Sequence, residues 1–321
     1  MENSDARSVY LAEVASMYYD QNMTQQEIAD KIGITRSGVS RLLSEARAKG
    51  IIEIIVHHPW RTSAELEATL LATFNLKAVR VLLRGNKTYK AMLRGLGVLA
   101  SQHFARILGS DDVVGISWGT GLYQMLQAMR PVSCPDVEVV QLVGGTGSEK
   151  SSSIGPLLAP LLANTLGCTC FYLHAPLLTE SKAACEALLQ ERSIREALAR
   201  GEHADIALVG IGSTNPDVYN PYKLGYVDAD ELTELRAGGA IGTMCGRLYN
   251  IEGAMLDIDF NHRVIGITLE ALTKIDTVLG VAGGAVKAEA ILGALRGGFV
   301  NVLITDEQAA RSVLDLHRAA R

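Results

Sequence analysis

From residue 76 onward, short apolar runs alternate with segments of helical spacing, and this alternation constrains the fold more than any other feature. The runs predict seven strands, at 79–83, 113–117, 137–142, 169–174, 206–211, 278–282 and 301–304. Helices are predicted between most of them, including 90–108, 181–199 and 286–296. Apolar strands that alternate with helices are typical of a parallel sheet covered on both faces. The sequence therefore predicts an α/β domain over residues 76–321.

Two segments do not follow this alternation. Residues 238–269 are expected to form a small antiparallel insertion. Residues 63–75 form a short predicted helix with charged flanks, within a connector that we place at 59–75. Its leucines make it a candidate for pairing with a partner chain.

The first 58 residues have a different pattern. A helix is predicted over 8–19 from its apolar spacing. Thr24 and Glu27 form a T-x-x-E capping box, so a second helix should begin at Gln25 and end at Gly33, where a positive φ is convenient. Thr35 is the expected cap of a third helix, and 51–56 is an apolar strand. Three helices and a strand predict an N-terminal winged helix-turn-helix over 1–58.

A helix-turn-helix contacts DNA through the outward face of its last helix. Between residues 35 and 50 there are four basic residues against one glutamate, although the net charge of the whole chain is −5. A basic stripe on an acidic protein fits a local DNA contact, although charge alone would favour a solvated helix face. The residues expected to contact DNA are Gln25, Thr35, Arg36, Ser37, Ser40 and Arg41.

Composition excludes several other classes. With 48% hydrophobic and 20% charged residues the chain suits a well-packed globular protein. No apolar run approaches the roughly 18 residues of a membrane span, and residues 1–7 do not read as a signal peptide, so we expect a cytoplasmic protein. The five cysteines have irregular spacing and are interpreted as buried thiols, with no metal site and no cofactor expected.

Four predicted strand ends carry glycine-rich turns. They lie at 115–121, 143–148, 209–213 and 281–287, and Lys287 follows the last of them in the predicted first turn of a helix. In open α/β sheets, ligands bind beyond the carboxyl ends of the strands, and amides at a helix N-terminus attract anions. A single such turn needs no ligand, because glycine simply permits a tight connection. Four turns in one sheet, one with a lysine, favour a small phosphorylated or polyhydroxylated ligand.

None of these turns completes a phosphate-binding P-loop or a dinucleotide fingerprint, which argues against ATP and against NAD. The residues expected to bind the effector are Ser117, Gly119, Thr120, Gly121, Gly144, Gly145, Thr146, Thr243 and Lys287.

The sequence resembles the SorC/DeoR family of sugar-binding transcriptional regulators over nearly its whole length. The matching segments are 18–19, 23–25, 27–29, 33–36, 39–43, 50–51, 115–119, 144–145, 204–212, 280–284, residue 287 and 298–306. The resemblance implies a second domain similar in fold to sugar-phosphate isomerases and deaminases. It also implies a homotetramer on operator DNA that responds to a sugar or phosphosugar.

The resemblance further implies that Ser117–Gly121 and Lys287 hold a phosphate or another anionic group, while the Gly144–Ser148 loop closes over the ligand. One departure affects the ligand's identity. In several relatives an Asp that binds sugar hydroxyls stands where this chain has Thr243, and a threonine cannot accept as a carboxylate does. The effector could therefore be a sugar, a sugar phosphate or a polyol.

Two other function classes remain to be compared. A sugar-phosphate isomerase or deaminase needs a general base near the sugar, and the candidates are Glu149, Asp205 and His174. Asp205 is better explained as a cap at a strand start, and a fused DNA-binding domain argues against an enzyme. A regulator whose α/β domain only oligomerises would not need the glycine turns. We therefore predict a carbohydrate-responsive regulator, most simply a repressor, that has no catalytic residues.

Overall fold

The computed structural model describes residues 2–52, 60–145 and 158–320. The chain forms two compact units, Met1–Pro59 and Trp60–Arg321. The first unit is helical, and the second is built on a parallel sheet.

Within its described residues, the first unit contains three helices, α1 (Glu2–Tyr19), α2 (Gln25–Ile32) and α3 (Arg36–Ala48). They pack around an apolar core whose buried members are Leu11, Val14, Ala15, Ile28, Ala29, Val39, Leu42, Leu43 and Ala46. The three helices were predicted from apolar spacing and capping residues, and the structure confirms them. Most of the predicted strand 51–56 lies outside the described residues, so the wing stays a prediction.

The helix boundaries in the first unit follow from local capping. Thr24 Oγ1 accepts from the amide of Glu27 at 3.3 Å, and the Glu27 carboxylate accepts from the amide of Thr24 at 2.7 Å. Gly33 ends α2 in the left-handed region at φ 71°. Thr35 then caps α3 by accepting from the amide of Gly38 at 3.1 Å. The capping box and the glycine stop predicted from sequence are confirmed, and they fix the turn between the two helices.

Within the described residues, the second unit has a seven-stranded sheet in which all the neighbouring strands are parallel. Its strands are β1 (Ala78–Leu82), β2 (Val113–Ile116), β3 (Glu138–Gln141), β4 (Thr169–Phe171), β5 (Ile206–Gly210), β9 (Thr277–Val281) and β10 (Val302–Asp306). Their spatial order is β1-β10-β9-β5-β2-β3-β4. All seven were predicted, with ends that shift by a few residues.

The described part of the second unit also contains twelve α-helices, several of which cover this sheet. They are α4 (Ala64–Phe74), α5 (Tyr89–Ile107), α6 (Thr120–Ala128), α7 (Leu158–Leu166), α8 (Lys182–Gln190), α9 (Arg192–Glu202), α10 (Asn220–Lys223), α11 (Ala229–Ala237), α12 (Asp259–His262), α13 (Leu269–Leu272), α14 (Ala288–Arg296) and α15 (Glu307–Ala319). A 3₁₀ turn, Ala285–Lys287, precedes α14.

Successive residues of a strand pack into apolar cores on opposite faces of the sheet. Ile206 and Leu208 of β5 pack in one apolar cluster with residues of α5, α6 and α7. Ala207 and Val209 pack in the opposite cluster with residues of α4, α14 and α15. The sheet is therefore covered on both faces, as its near-continuous apolar strands predicted.

A second, three-stranded antiparallel sheet is formed by β6 (Gly212–Ser213), β7 (Gly242–Met244) and β8 (Arg247–Tyr249). The antiparallel insertion expected within 238–269 is thereby confirmed, and β6 extends it back to the end of β5. Cys245 and Gly246 form the two-residue turn of the β7–β8 hairpin, with φ of 50° and 82°. Positive φ at both positions is what a tight type I′ hairpin requires.

Three helix predictions need correction. The helix expected over 181–199 is broken at Glu191, where an extended backbone lets α8 bury Cys185 and α9 bury Ile194. The helix expected over 286–296 begins as the 3₁₀ turn, because Gly284 at φ 93° redirects the chain. The helix assigned to a separate connector, α4, buries Leu66 and Leu70 in the core of the second unit and packs against β1 and α15. Burial makes it a component of that unit.

Gly97 is where α5 and α6 approach most tightly, and Gly97→Ala should destabilise the second unit. A Cβ at residue 97 would lie 2.4 Å from the carbonyl carbon and oxygen of Gln124, a backbone group that cannot turn away. We expect the free energy of unfolding to fall by about 1–3 kcal/mol, although alanine ordinarily favours a helix. Urea denaturation measures the change. Ser101→Ala on the same helix is the control, and equal midpoints for the two variants would contradict the close approach.

Candidate functional site

The outward face of α3 presents the residues expected to contact DNA. Thr35, Arg36, Ser37, Ser40 and Arg41 are exposed, whereas Gln25 at the start of α2 is half-buried. The opposite side of α3 is buried in the core of the first unit. The amphipathic separation follows directly from the sequence spacing.

The basic side chains of α3 differ in their partners. Arg47 donates to the Tyr19 hydroxyl at 2.7 Å. Glu45 pairs with Arg7 at 2.6 Å and with Lys49 at 3.1 Å. The hydrogen bond from Arg7, followed by that from Lys49, lowers the pKa of Glu45 to about 2. Arg36 and Arg41 make no ion pair within the described part of the chain, so their guanidinium groups are available for a partner.

A cavity of about 580 Å³ lies in the second unit at the carboxyl ends of β2, β5 and β9. The order in which successive strands are added to the sheet reverses here. Strands β3 and β4 lie on one side of β2, whereas β5 lies on its other side. Ligands in open α/β sheets bind at such a switch point. Of the predicted effector residues, six line the cavity: Ser117, Gly119, Thr120, Gly121, Thr243 and Lys287.

The loop after β2 supplies donors to this cavity. Gly119 lies at the N-terminal boundary of α6 and provides no side-chain cap. The first amides of the helix therefore have no hydrogen bond to a capping side chain. Amides at a helix N-terminus attract negative charge. Ser117 is different, because its buried hydroxyl accepts from the amide of Gly210 at 3.4 Å. Its role is to join the ends of β2 and β5.

Lys287 lines the cavity from the turn that follows β9. It ends the 3₁₀ turn before α14, and its Nζ donates to the carbonyl oxygen of Ile211 at 2.8 Å. The side chain is half-buried, and burial lowers the pKa of its ammonium to about 8. No carboxylate lies within ion-pair distance of it among the described residues, so a buried positive charge stays uncompensated. An anion in the cavity would compensate it.

The β7–β8 hairpin forms the third wall. Thr243 is half-buried, and its hydroxyl has no hydrogen-bond partner in the described ranges. The neighbouring Cys245 is fully enclosed, and burial raises the pKa of its thiol to about 12. Arg247, just beyond the turn, donates to four backbone carbonyls, those of Asn261, Val264, Gly266 and Ile267. These bonds fix the hairpin to the segment 261–267.

Gly144 and Gly145 are placed elsewhere. The amide of Gly144 donates to Ile265 at 3.0 Å, and that of Gly145 donates to Ala175 at 2.8 Å. Neither glycine lines the cavity, because backbone pairing holds both beside the chain segments 175–177 and 264–267. Thr146, like the rest of the loop through residue 148, lies outside the described residues. An effector contact from this loop stays a prediction.

Comparison with known proteins places this architecture in a family. A model of a sugar-binding domain, Sugar-bind, matches residues 58–315, and a Crp-like helix-turn-helix domain matches 9–61. The deoxyribonucleoside regulator of Bacillus subtilis (strain 168) is 31% identical over 303 residues, 94% of this chain and 96% of that regulator. The transcriptional regulator LsrR of Enterobacter sp. (strain 638) is 32% identical over 310 residues, 95% and 93% of the two chains.

The solved structure of the full-length sorbitol operon regulator SorC from Klebsiella pneumoniae superposes with a TM-score of 0.74 at 28% identity. It covers 95% of this chain and 98% of its own. The chain belongs to the SorC/DeoR family of sugar-binding transcriptional regulators. The resemblance stated from sequence motifs is thus confirmed, as is the class of DNA-binding regulator with a sugar-binding domain.

Several cavity residues of this SorC/DeoR-family chain were missed from sequence. They belong to the segment between β6 and α11, and they are Asp217, Val218, Tyr219, Asn220, Pro221 and Lys223. Tyr219 anchors the segment by complete burial. Asn215 shapes its start, because its side chain accepts from the amide of Asp217 at 3.0 Å. The Asn-Pro-Asp triplet at 215–217 predicts such a turn, but only the tertiary fold determines that the turn lies beside the cavity.

The candidate general bases do not converge on the cavity. The Asp205 carboxylate accepts from the amide of Val113 at 2.9 Å, which confirms that it caps a strand start. His174 is exposed and stacks on Tyr172 with 5.6 Å between ring centroids. Glu149 lies outside the described residues. The carboxylate that does line the cavity is that of Asp217.

The described part of the chain holds no group of His, Cys, Asp and Glu side chains that could bind a metal ion. All five cysteines are free thiols. Among the helices of the described ranges, none has the length and apolar character needed to cross a membrane.

Proposed function

We propose that this regulator changes its affinity for operator DNA when the cavity at β2, β5 and β9 binds a small anionic, hydroxylated ligand. One observation carries the proposal: the uncompensated Lys287 ammonium and the uncapped first turn of α6 line the same cavity. Backbone amides at a helix N-terminus and an ammonium that line one cavity suit a phosphate group. A sugar phosphate is the simplest ligand of this chemistry.

The other side of the cavity suits hydroxyl groups. Thr243 has an unengaged hydroxyl there, and Asp217 and Asn220 add a carboxylate and an amide. Charged and amide groups can accept from and donate to several hydroxyls of a polyol chain. The proposed effector residues are therefore Thr120, Gly121 and Lys287 for the anion, and Thr243 for the hydroxyls.

For DNA, we propose that α3 enters the major groove with Arg36 and Ser37 near base edges and with Arg41 at bases or backbone. Their exposure and the absence of intramolecular ion pairs for both arginines in the described residues support this. We assign DNA binding to residues 1–58 and effector binding to the remainder. We further propose that the protein is a homotetramer and that it represses a carbohydrate-catabolism operon. In this proposal it acts in the cytoplasm and catalyses no reaction.

A thermal-shift screen against sugar phosphates, free sugars and polyols tests the ligand class. A ligand that binds only the native state raises stability by RT ln(1 + [L]/Kd). We expect sugar phosphates to raise the melting temperature more than their unphosphorylated counterparts. A hit is then added to gel shifts with operator DNA. The proposal fails if no phosphorylated sugar shifts melting, or if a bound hit leaves operator affinity unchanged.

Oligomeric state is tested separately by light scattering on the protein alone and on operator DNA. One helix-turn-helix contacts little of the groove, so regulators of this type bind symmetric half-sites as dimers or higher assemblies. A monomer at micromolar concentration in both samples would refute the assembly that we propose.

The lowered pKa of Lys287 predicts how affinity changes with pH. Affinity for a phosphorylated ligand should be constant near pH 7 and fall above pH 8, because the ammonium loses its proton there. The ligand itself does not titrate in this range, since a phosphate monoester has its second pKa near 6. One linked proton limits the loss to about tenfold per pH unit. Calorimetric titrations between pH 7 and pH 10 measure it.

An uncharged polyol is the control ligand in these titrations, and its affinity should not follow the same curve. The unfolded chain, in which lysine has a pKa of about 10.4, binds more protons than the native state above pH 8. Lys287 therefore adds to the free energy of unfolding as pH rises from 8 to 10, and unfolding does not explain the expected loss. A flat profile for the phosphorylated ligand would contradict the role of Lys287.

A further inference from the structure

Asp306 is a buried carboxylate that none of the roles described so far explains. It is the last residue of β10, and none of its surface is exposed to solvent. No Lys, Arg or His lies within ion-pair distance of it among the described residues. A buried charge of this kind is retained only where hydrogen bonds stabilise it.

Two backbone amides supply those bonds. Oδ1 accepts from the amide of Gly284 at 2.6 Å, and Oδ2 accepts from the amide of Gln308 at 3.3 Å. The second bond caps α15, whose N-terminal dipole also favours the negative charge. The first bond has no part in α15. It ties the carboxylate to the turn that follows β9.

The turn after β9 is shaped around this carboxylate. A Cβ at Gly283 would lie 2.9 Å from Asp306 Oδ1 and 2.6 Å from Leu96 Cδ1, so any larger residue would have to displace these side chains. Tyr89 covers the other side, 3.3 Å from where a Cβ of Gly284 would stand. Burial of the phenol, and then the charge of Asp306, raises the pKa of Tyr89.

The same turn presents the cavity lysine. The carbonyl of Gly284 accepts from the amide of Lys287 at 3.0 Å and closes the 3₁₀ turn. Lys287 Nζ then reaches the carbonyl of Ile211 at 2.8 Å. Asp306, Gly284 and Lys287 are therefore connected by consecutive hydrogen bonds, from the buried carboxylate to the ammonium that lines the cavity.

We propose that Asp306 is a positioning residue, which holds the Gly283–Lys287 turn so that the Lys287 ammonium points into the effector cavity. The inference rests on the proposed function of that cavity and adds a residue that has no contact with the ligand. The alternative is that Asp306 only caps α15. Asparagine caps helices as well as aspartate does, so Asp306→Asn separates the two roles. An amide cannot accept from both Gly284 and Gln308 through two oxygens.

The first experiment needs no ligand. The full-length parent protein, D306N and Glu307→Gln are acylated across a pH series, and the modification of Lys287 is followed by mass spectrometry. In the parent, Lys287 should titrate with a pKa of about 8. In D306N the turn is released, and the apparent pKa should rise toward the ordinary value of about 10.4.

Glu307→Gln is the matched control, because it removes the adjacent carboxylate, which pairs with Arg311 rather than with the turn. Its Lys287 should titrate as in the parent. The other charged side chains that line the cavity, Asp217 and Lys223, are unchanged in all three proteins. An unchanged Lys287 profile in D306N would overturn the proposal.

The second experiment is a double-mutant cycle with Lys287→Met, using ribose 5-phosphate and inorganic phosphate as probes. We expect D306N to bind ribose 5-phosphate about tenfold more weakly than the parent, the scale of a lost hydrogen bond to a charged group. In the Lys287→Met background D306N should cause no further loss, because both residues act through one ammonium. Losses that add would overturn the positioning role.

The two experiments separate this inference from the proposed function. If Lys287→Met binds both probes as tightly as the parent, the proposal that Lys287 binds the anion is wrong. The acylation profile still decides whether Asp306 positions the lysine. If D306N does not fold, Gly283→Ala disturbs the bond between Asp306 and Gly284 from the side of the turn, because the added Cβ would lie against Asp306 Oδ1. Its Lys287 pKa should rise in the same way, and a parent-like profile in that variant would reject the inference.

Discussion

Arg36→Ala and Arg41→Ala should each weaken operator binding by about 1–3 kcal/mol, roughly 5- to 150-fold in affinity at fixed salt. Both guanidinium groups lie on the exposed face of α3 without an intramolecular ion pair in the described residues. Arg36 stands in the first turn, where recognition helices contact base edges. Fluorescence anisotropy with DNA selected from a random library by the parent protein measures both variants.

Salt dependence distinguishes the two kinds of contact. A lost phosphate contact lowers the salt slope by about one and affects all sequences alike, whereas a lost base contact relaxes the sequence preference. Lys49→Gln is the control, because Lys49 belongs to the same basic stripe but pairs with Glu45. Parent-like affinity in both arginine variants would remove α3 as the recognition helix.

Lys287→Ala should abolish the response to a phosphorylated effector while leaving folding and operator affinity intact. The ammonium lines the same cavity as the uncapped N-terminus of α6, so its loss removes a positive charge that would attract an anion. Losing a charge-assisted hydrogen bond costs about 1.5–3 kcal/mol of binding. The free energy of unfolding should not fall, since a buried ammonium without a counter-ion is itself unfavourable.

Calorimetry with the thermal-shift hit and gel shifts with operator DNA measure these two effects in parallel. Lys182→Met is the control, because Lys182 is an exposed lysine of α8 that pairs with Glu186. The same effector affinity in Lys287→Ala and in the parent would place the anion site elsewhere in the molecule.

The sequence was sufficient for much of the fold because local signals were consistent with the tertiary structure. Thr24, Glu27, Gly33 and Thr35 act within a few residues of themselves, so their caps could be predicted from spacing. The strands of the sheet are buried on both faces, and their apolar runs are visible without knowledge of the partners.

The cavity was predicted in part. Parallel strands direct their carboxyl ends to one edge, so the turns after β2, β5 and β9 could be expected to meet, and they do. The turn after β3 follows the same local rule, but backbone pairing of Gly144 and Gly145 with distant segments determines where it lies. Gly144 pairs with Ile265 and Gly145 with Ala175, and contacts between residues so far apart in the chain cannot be predicted from the local sequence. The segment with Asp217 was missed for the same reason.

The precise position of Lys287 could not be predicted either. The sequence suggested the first turn of an α-helix, where a lysine opposes the dipole. The structure instead places it at the end of a 3₁₀ turn, where the amide of the preceding Gly284 donates to the buried carboxylate of Asp306. The hydrogen bond between residues 284 and 306 joins the ends of the neighbouring strands β9 and β10, so only the folded chain reveals it.

The four carbonyls bound by Arg247 have a consequence for how ligand preference can change in this lineage. These bonds tie the hairpin that carries Thr243 to the segment 261–267, so we expect this cavity wall to act as a rigid template and not as an adaptable surface. A rigid wall spares the ligand the cost of ordering the protein, but it cannot follow a ligand of another shape. New specificity must then come from replacing side chains such as residue 243 on an unaltered backbone. We expect substitutions of Arg247 to broaden the range of ligands before they abolish binding.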